Sequence, residues 1–129
     1  MPDFSPTAIA AATLVAFMIG GAYYGALGDR LAEASVSSPS ESPAPWTLVV
    51  ELARCLLIAL VVAGIAAEAD VEDLAGGLLL GAALWIGFPL VLWVGAIVHE
   101  GTPLGVAAIH AGDWLLKLLA VAALIAVIQ

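Results

Sequence analysis

The sequence predicts an all-α protein: an integral membrane four-helix bundle of up-down antiparallel topology, with residues 1–129 forming a single transmembrane domain. Three observations carry this expectation. The chain is 64% hydrophobic, with a mean hydropathy of +1.14, whereas soluble domains run nearer half apolar. Four apolar runs, residues 6–27, 46–67, 74–98 and 104–128, are each long enough to cross a hydrocarbon core ~30 Å thick at about 1.5 Å per helical residue. The one long polar segment, 28–45, falls between the first two runs and leaves no length for a soluble domain.

Charge and cysteine usage exclude several classes. The net charge is −8, and the basic residues are Arg30, Arg54 and Lys117. Nucleic acid is therefore not an expected partner, and anionic headgroups would not draw the chain electrostatically. The single cysteine, Cys55, rules out an internal disulfide and a cysteine-based zinc site. Within an apolar run it reads as a small buried hydrophobe rather than a reactive thiol.

The first span, 6–27, opens with Pro6, which suits a first helical turn. No basic residue precedes Arg30, which argues against a secretory leader; the Ala26–Gly28 run as a cleavage site is the lesser reading. Tyr23 and Tyr24 fall near the far interface, where rings with a polar tip prefer to sit. Gly21 and Gly25 form a GxxxG pair that would let another helix approach closely. The Ser-, Pro- and Glu-rich stretch 28–45 reads as an extended solvated linker with a short helical turn at 29–34; phosphorylation or partner docking there is the lesser reading.

The second span, 46–67, is anchored by Trp46 and carries Glu51 and Arg54 at i, i+3 on one face. A tight acidic turn, 68–73, leads into the third span, 74–98, whose N-terminal dipole Asp73 would complement. Gly77 and Gly81 make a second GxxxG pair, and Pro89 falls mid-span, where a kink or a broken hydrogen bond is expected. His99, Glu100, Gly101, Thr102 and Pro103 form a short loop before the fourth span. Only Arg30 marks a side, so the positive-inside rule places the first loop in the cytoplasm and both termini outside.

The fourth span holds the most informative pattern. His110, Asp113 and Lys117 lie at i, i+3 and i+7 and share one face, with Asp113 and Lys117 also an i, i+4 pair. Each ionisable group inside a bilayer costs roughly 2.5–3.5 kcal/mol unless it faces protein or water. Up-down packing makes the second and fourth helices parallel, so depths compare directly. Reckoned from the helix starts, Glu51 lies ~8 Å in, His110 ~10 Å, Arg54 ~12 Å, Asp113 ~15 Å and Lys117 ~21 Å. Glu51, Arg54, His110, Asp113 and Lys117 are thus expected to form one intramembrane polar cluster, with Tyr23, Tyr24, His99 and Glu100 closing its mouth. The other half of the bundle reads as aliphatic.

Three readings of that cluster stand in order. The first is mutual neutralisation that fixes helix register. The second is a water-filled half-cavity for a proton, an ion or a small polar solute. The third, a catalytic or metal site, lacks support: no HExxH, paired-histidine, P-loop, GxSxG or dinucleotide fingerprint is present. A lone four-helix bundle is filled by its own side chains. A path would therefore need the Pro89 kink, or a homo-oligomer packing through Gly21/Gly25 or Gly77/Gly81.

Three motifs carry a family resemblance: GGAYYGALG at the end of the first span, Trp85-Ile86-Gly87-Phe88 in the third, and HEGTPLGVAAIHAGDWLL across the third loop. On these the chain resembles domain-of-unknown-function family 1761, a group of small four-helix prokaryotic membrane proteins. The motifs touch every span but the second. The resemblance implies four spanning helices and no established activity, so no residue role is carried over from it. The expected function is an uncharacterised, non-enzymatic multi-pass protein of the cell membrane that handles a proton, ion or small polar solute through the cluster. The alternative is a structural or accessory subunit with no chemistry of its own. No cofactor or metal is expected, and the partners expected beyond the bilayer are a second copy or another membrane protein.

Overall fold

The computed structural model describes residues 5–34 and 44–128 and is an all-α bundle. The central part of the polar linker, with its phosphorylation or docking reading, lies outside the described residues. The helices are α1 (Pro6–Ala34), α2 (Pro45–Glu68), α3 (Leu74–Gly87), α4 (Pro89–Glu100) and α5 (Leu104–Val127). They supply four segments long and apolar enough to cross a membrane: Pro6–Leu31, Pro45–Glu68, Leu74–Glu100 and Leu104–Val127.

The ends of the helices follow from local chemistry. Before α1, the Ser5 hydroxyl accepts a hydrogen bond from the Ala8 amide at 3.2 Å, and Pro6 opens the first turn without wasting a donor. α1 continues beyond the expected end at 27, through Gly28 to Ala34. Arg30, Leu31, Ala32, Glu33 and Ala34 are all good helix formers, and polarity alone does not end a helix. α2 closes at Ala69, and Asp70 takes a left-handed φ of 52°. Asp73 then caps α3, its carboxylate accepting from the Gly76 amide at 2.6 Å.

The third span is two helices in tandem. Pro89 has no amide hydrogen to give the Trp85 carbonyl, and its ring crowds the preceding turn. The chain answers at Phe88, with φ −124° and ψ −76°. The bonds on either side survive: Phe88 N–H to Leu84 C=O at 3.1 Å and Leu92 N–H to Phe88 C=O at 2.9 Å.

α5 is the hub: α1, α2, α3 and α4 all pack on it, while α2 meets α1, and α3 meets α4. Small residues make this possible. A Cβ on Gly77 would stand 2.8 Å from the Ala122 carbonyl oxygen, and one on Gly81 would stand 2.7 Å from that of Leu118. Ala8, Ala12 and Ala16 line the inner face of α1 at four-residue spacing, opposite Cys55, Ala59 and Val62 of α2 and Leu118, Val121 and Ala122 of α5. Inside a bilayer, close van der Waals packing replaces the hydrophobic effect as the main force between helices. α2 and the α3–α4 pair stand apart, leaving an open apolar groove of about 690 Å³ floored by Trp114 and Leu118 of α5.

Candidate polar site within the bundle

α5 places Asp113 and Lys117 on its buried side, one turn apart. Their side chains are 5% and 4% exposed, and Lys117 Nζ stands 3.0 Å from Asp113 Oδ2. The same ammonium lies 3.0 Å from Glu51 Oε1 of α2. The other oxygen of Glu51, Oε2, accepts from Arg54 Nη1 at 2.7 Å. The result is a single alternating chain, Arg54–Glu51–Lys117–Asp113, with two positive and two negative groups and no net charge. Burying a charge is tolerable only when it is paired, and each carboxylate here meets at least one cation.

The backbone makes room for this chain at a place no charge pattern indicates. Gly20 of α1 faces the lysine head: a Cβ there would stand 3.1 Å from Lys117 Nζ and 3.8 Å from Glu51 Oε1. Cys55, one turn after Glu51, is fully buried beside the site, with Sγ 3.9 Å from Glu51 Oε1. It sits where the sequence places a small buried hydrophobe.

A second polar group forms around His110. Its Nδ1 shares a hydrogen bond with the Tyr24 hydroxyl at 2.7 Å. Its ring stacks on Trp93 of α4 with centroids 4.9 Å apart and planes 8° from parallel. Tyr23 meets Tyr24 edge-on at 5.5 Å, and its hydroxyl lies over Gly112, where any side chain would collide with it. Trp85 donates from its indole nitrogen to the Ala111 carbonyl at 2.8 Å, tying α3 to α5 at the same level.

Two buried polar atoms have no hydrogen-bond partner among the described residues: Asp113 Oδ1 and Trp93 Nε1. The carboxylate oxygen matters more chemically. Asp113 holds the lysine with one oxygen and keeps the other as a buried acceptor, a position that ordinarily attracts a proton donor.

The predicted cluster is therefore rearranged. Glu51, Arg54, Asp113 and Lys117 join in one chain, whereas His110 belongs to the aromatic group with Tyr24 and Trp93. Of the four mouth residues, Tyr23 and Tyr24 lie at that group, while His99 and Glu100 are exposed at the end of α4 and make no described contact with the cluster. The depth comparison is corrected as well. It sets Glu51 and Lys117 ~13 Å apart, yet they touch. A lysine arm leans toward the N-terminus of its own helix, and α2 and α5 do not begin at one level. Depth also places Arg54 between His110 and Asp113, but its side chain is 56% exposed on the outside of α2. Of the glycine pairs, Gly77 and Gly81 press on α5 within the chain, whereas a Cβ on Gly21 or Gly25 would meet nothing within 4 Å.

Gly20, Gly112, Trp85 and Trp93 do not stand out in the sequence as parts of the polar site. A usable signal exists for the first: a lysine buried in a span needs a neighbouring helix stripped of side chain at its level. The GG doublet at 20–21 offers that, although the GxxxG spacing draws attention to Gly21 instead.

No curated protein and no solved structure matches the chain. Residues 7–126 match the family described as "Protein of unknown function (DUF1761)". That match spans α1 to α5 nearly end to end and includes every residue of both polar groups, so the chain belongs to this family.

Proposed function

We propose that the chain is a multi-pass protein of a prokaryotic cell membrane that handles protons through the Asp113–Lys117–Glu51–Arg54 chain. The observation that carries this is the free oxygen of Asp113, buried beside an ammonium that already has a second carboxylate to hold it. When Asp113 takes up a proton at Oδ1, its hold on Lys117 weakens and the lysine keeps its bond to Glu51. When the proton leaves, the original pair re-forms. Protonation leaves the chain with one net positive charge, that of the proton itself, while Lys117 stays paired with Glu51, so the site can take up a proton without stranding the ammonium. His110, one turn before Asp113 on the same face of α5, and Tyr24 of α1, bonded to it, are the groups that would pass the proton toward Asp113.

Purified protein in liposomes loaded with a pH-sensitive dye tests this. An imposed potassium diffusion potential should drive proton uptake with the wild type, and Asp113→Asn should abolish it. If wild-type and protein-free liposomes take up protons equally, proton handling is wrong.

The bare outer face of α2 favours a second reading, that of an accessory subunit. Trp46, Val49, Leu57 and Val61 are all exposed there, as are Gly21 and Gly25 on α1, so a second copy or another membrane protein has two faces to pack on. A stoichiometric foreign subunit retained through purification in mild detergent, together with absent proton uptake, would establish this reading over the first.

A further inference from the structure

We infer that Tyr23 is the last donor on the proton path, the residue whose phenol hands the proton to Asp113 Oδ1, and that Gly112 is the seat that positions it. The inference deepens the proton-handling reading and rests on it. His110 and Tyr24 bring a proton to this level, but their hydrogen bond is to each other, between Nδ1 and the Tyr24 hydroxyl. Asp113 Oδ1 is buried and takes no hydrogen bond among the described residues. A further donor has to reach it.

Gly112 points to that donor. It stands inside α5, where a glycine weakens the helix relative to alanine, and it has no positive φ to require one. The three atoms nearest to a Cβ at this position all belong to Tyr23: the hydroxyl, with which it would collide, the ring carbon that bears it at 3.4 Å, and a ring-edge carbon at 3.8 Å. What Gly112 admits is therefore one phenol, set against the backbone next to Asp113. Among the described residues no hydrogen bond engages that hydroxyl, and the Asp113 carboxylate acts electrostatically on it, as on the Tyr24 phenol. One free donor and one buried acceptor thus stand at adjoining positions of α5, and with no side chain at 112 the phenol can slide from one to the other. A hydroxyl both donates and accepts, so the transfer balances. The imidazolium of His110 gives its Nδ1 proton to the Tyr24 oxygen, Tyr24 gives its own to the Tyr23 oxygen, and Tyr23 gives its own to Asp113 Oδ1. Both phenols end neutral, His110 has lost one proton, and Asp113 has gained it. The edge-on contact of the two tyrosines, with ring centroids 5.5 Å apart, sets the second phenol beside the first.

The test uses the full chain and two readouts. In liposomes under a potassium diffusion potential, Tyr23→Phe should slow initial proton uptake by roughly 10-fold or more, within what one positioned proton donor contributes. Thermal stability should stay that of the wild type, because the ring remains. Infrared difference spectra between neutral and acid pH read the bond itself. The carbonyl stretch of protonated Asp113, assigned by its loss in Asp113→Asn, should shift in Tyr23→Phe. Gly112→Ala should slow uptake likewise, since its methyl group displaces the hydroxyl. Combined with Tyr23→Phe it should regain stability, because only the ring carbon 3.4 Å away remains, and uptake should fall no further than in either single variant. Additive losses would overturn the inference, since the glycine would then act apart from Tyr23. If the wild type takes up protons and Tyr23→Phe does so equally, or if the carboxyl band stays in place, the donor role is overturned and proton handling stands. If the wild type takes up none, proton handling falls and the donor role with it.

Discussion

Lys117 and Arg54 carry the same charge and share Glu51, yet their surroundings make them unequal. Lys117 is 4% exposed and bridges two carboxylates, whereas Arg54 is 56% exposed and holds one. Removing a buried partner strands the charges that remain and typically costs about 3–5 kcal/mol. Lys117→Met should therefore lower stability in detergent by about 3–5 kcal/mol, and Arg54→Gln, which strands no second carboxylate because Glu51 keeps Lys117, by clearly less, as read by denaturant unfolding. The quadruple variant Lys117→Met/Asp113→Asn/Glu51→Gln/Arg54→Gln, in which the whole chain is neutral, should recover much of the first loss, since it leaves no stranded charge. If Lys117→Met unfolds no more easily than Arg54→Gln, the chain of pairs does not hold α2 to α5. Gly20 offers a graded version of the same test. Gly20→Ala asks the flexible lysine head to move by a few tenths of an ångström and should be mild. Gly20→Leu would occupy the lysine's place and should cost nearly as much as Lys117→Met.

The helices differ in how much of their arrangement the sequence makes legible. Span positions can be read because each rests on a local property, an unbroken apolar run with a capping or breaking residue at its end, as with Asp73 and Pro89. The far end of α1 is legible in part: residues 29–34 read as a short helical turn, but polarity sets them apart from the apolar run, whereas the helix continues through Gly28 into them. Pairing between helices is harder, because periodicity shows which residues share a face but not which helix that face meets. The two GxxxG pairs make the point: they are alike in sequence, yet one packs on α5 and the other lies open. Their variants should separate accordingly. Gly81→Val drives a side chain into the Leu118 carbonyl and should cost at least about 2 kcal/mol of stability. Gly25→Val meets nothing in the chain and should unfold with the wild type, so a shift in its oligomeric state on sizing would mark that face as an interface. A well-folded Gly81→Val protein would contradict the close α3–α5 approach.

Across the whole molecule, α5 joins two halves that otherwise hardly meet: α1 with α2 on one side, α3 with α4 on the other. The polar site is legible in the sequence as two sets, the stripe on α5 and Glu51 with Arg54 on α2, but which of their atoms meet depends on this arrangement. Glu51 could be named from its charge, but its contact with Lys117 depends on a helix stagger that no residue encodes locally. The same architecture makes a strong prediction about assembly. The turn at 69–73 is short and largely exposed, so a cut there should leave residues 1–68 and 74–129 able to insert separately and then associate, as preformed spans do within a bilayer. Association would rest on the faces that α1 and α2 present to α5, with the Glu51–Lys117 bridge buried between the fragments. Co-expressed fragments should therefore co-purify at equal stoichiometry. Lys117→Met in the second fragment should reduce recovery of the first by roughly tenfold or more, as loss of a buried pair implies, whereas Arg54→Gln in the first should leave recovery nearly unchanged. Equal loss in both variants would mean that the charges act as a diffuse network. No loss in either would mean that small-residue packing alone joins the halves, freeing the charge chain from any structural duty and strengthening the case that it moves protons.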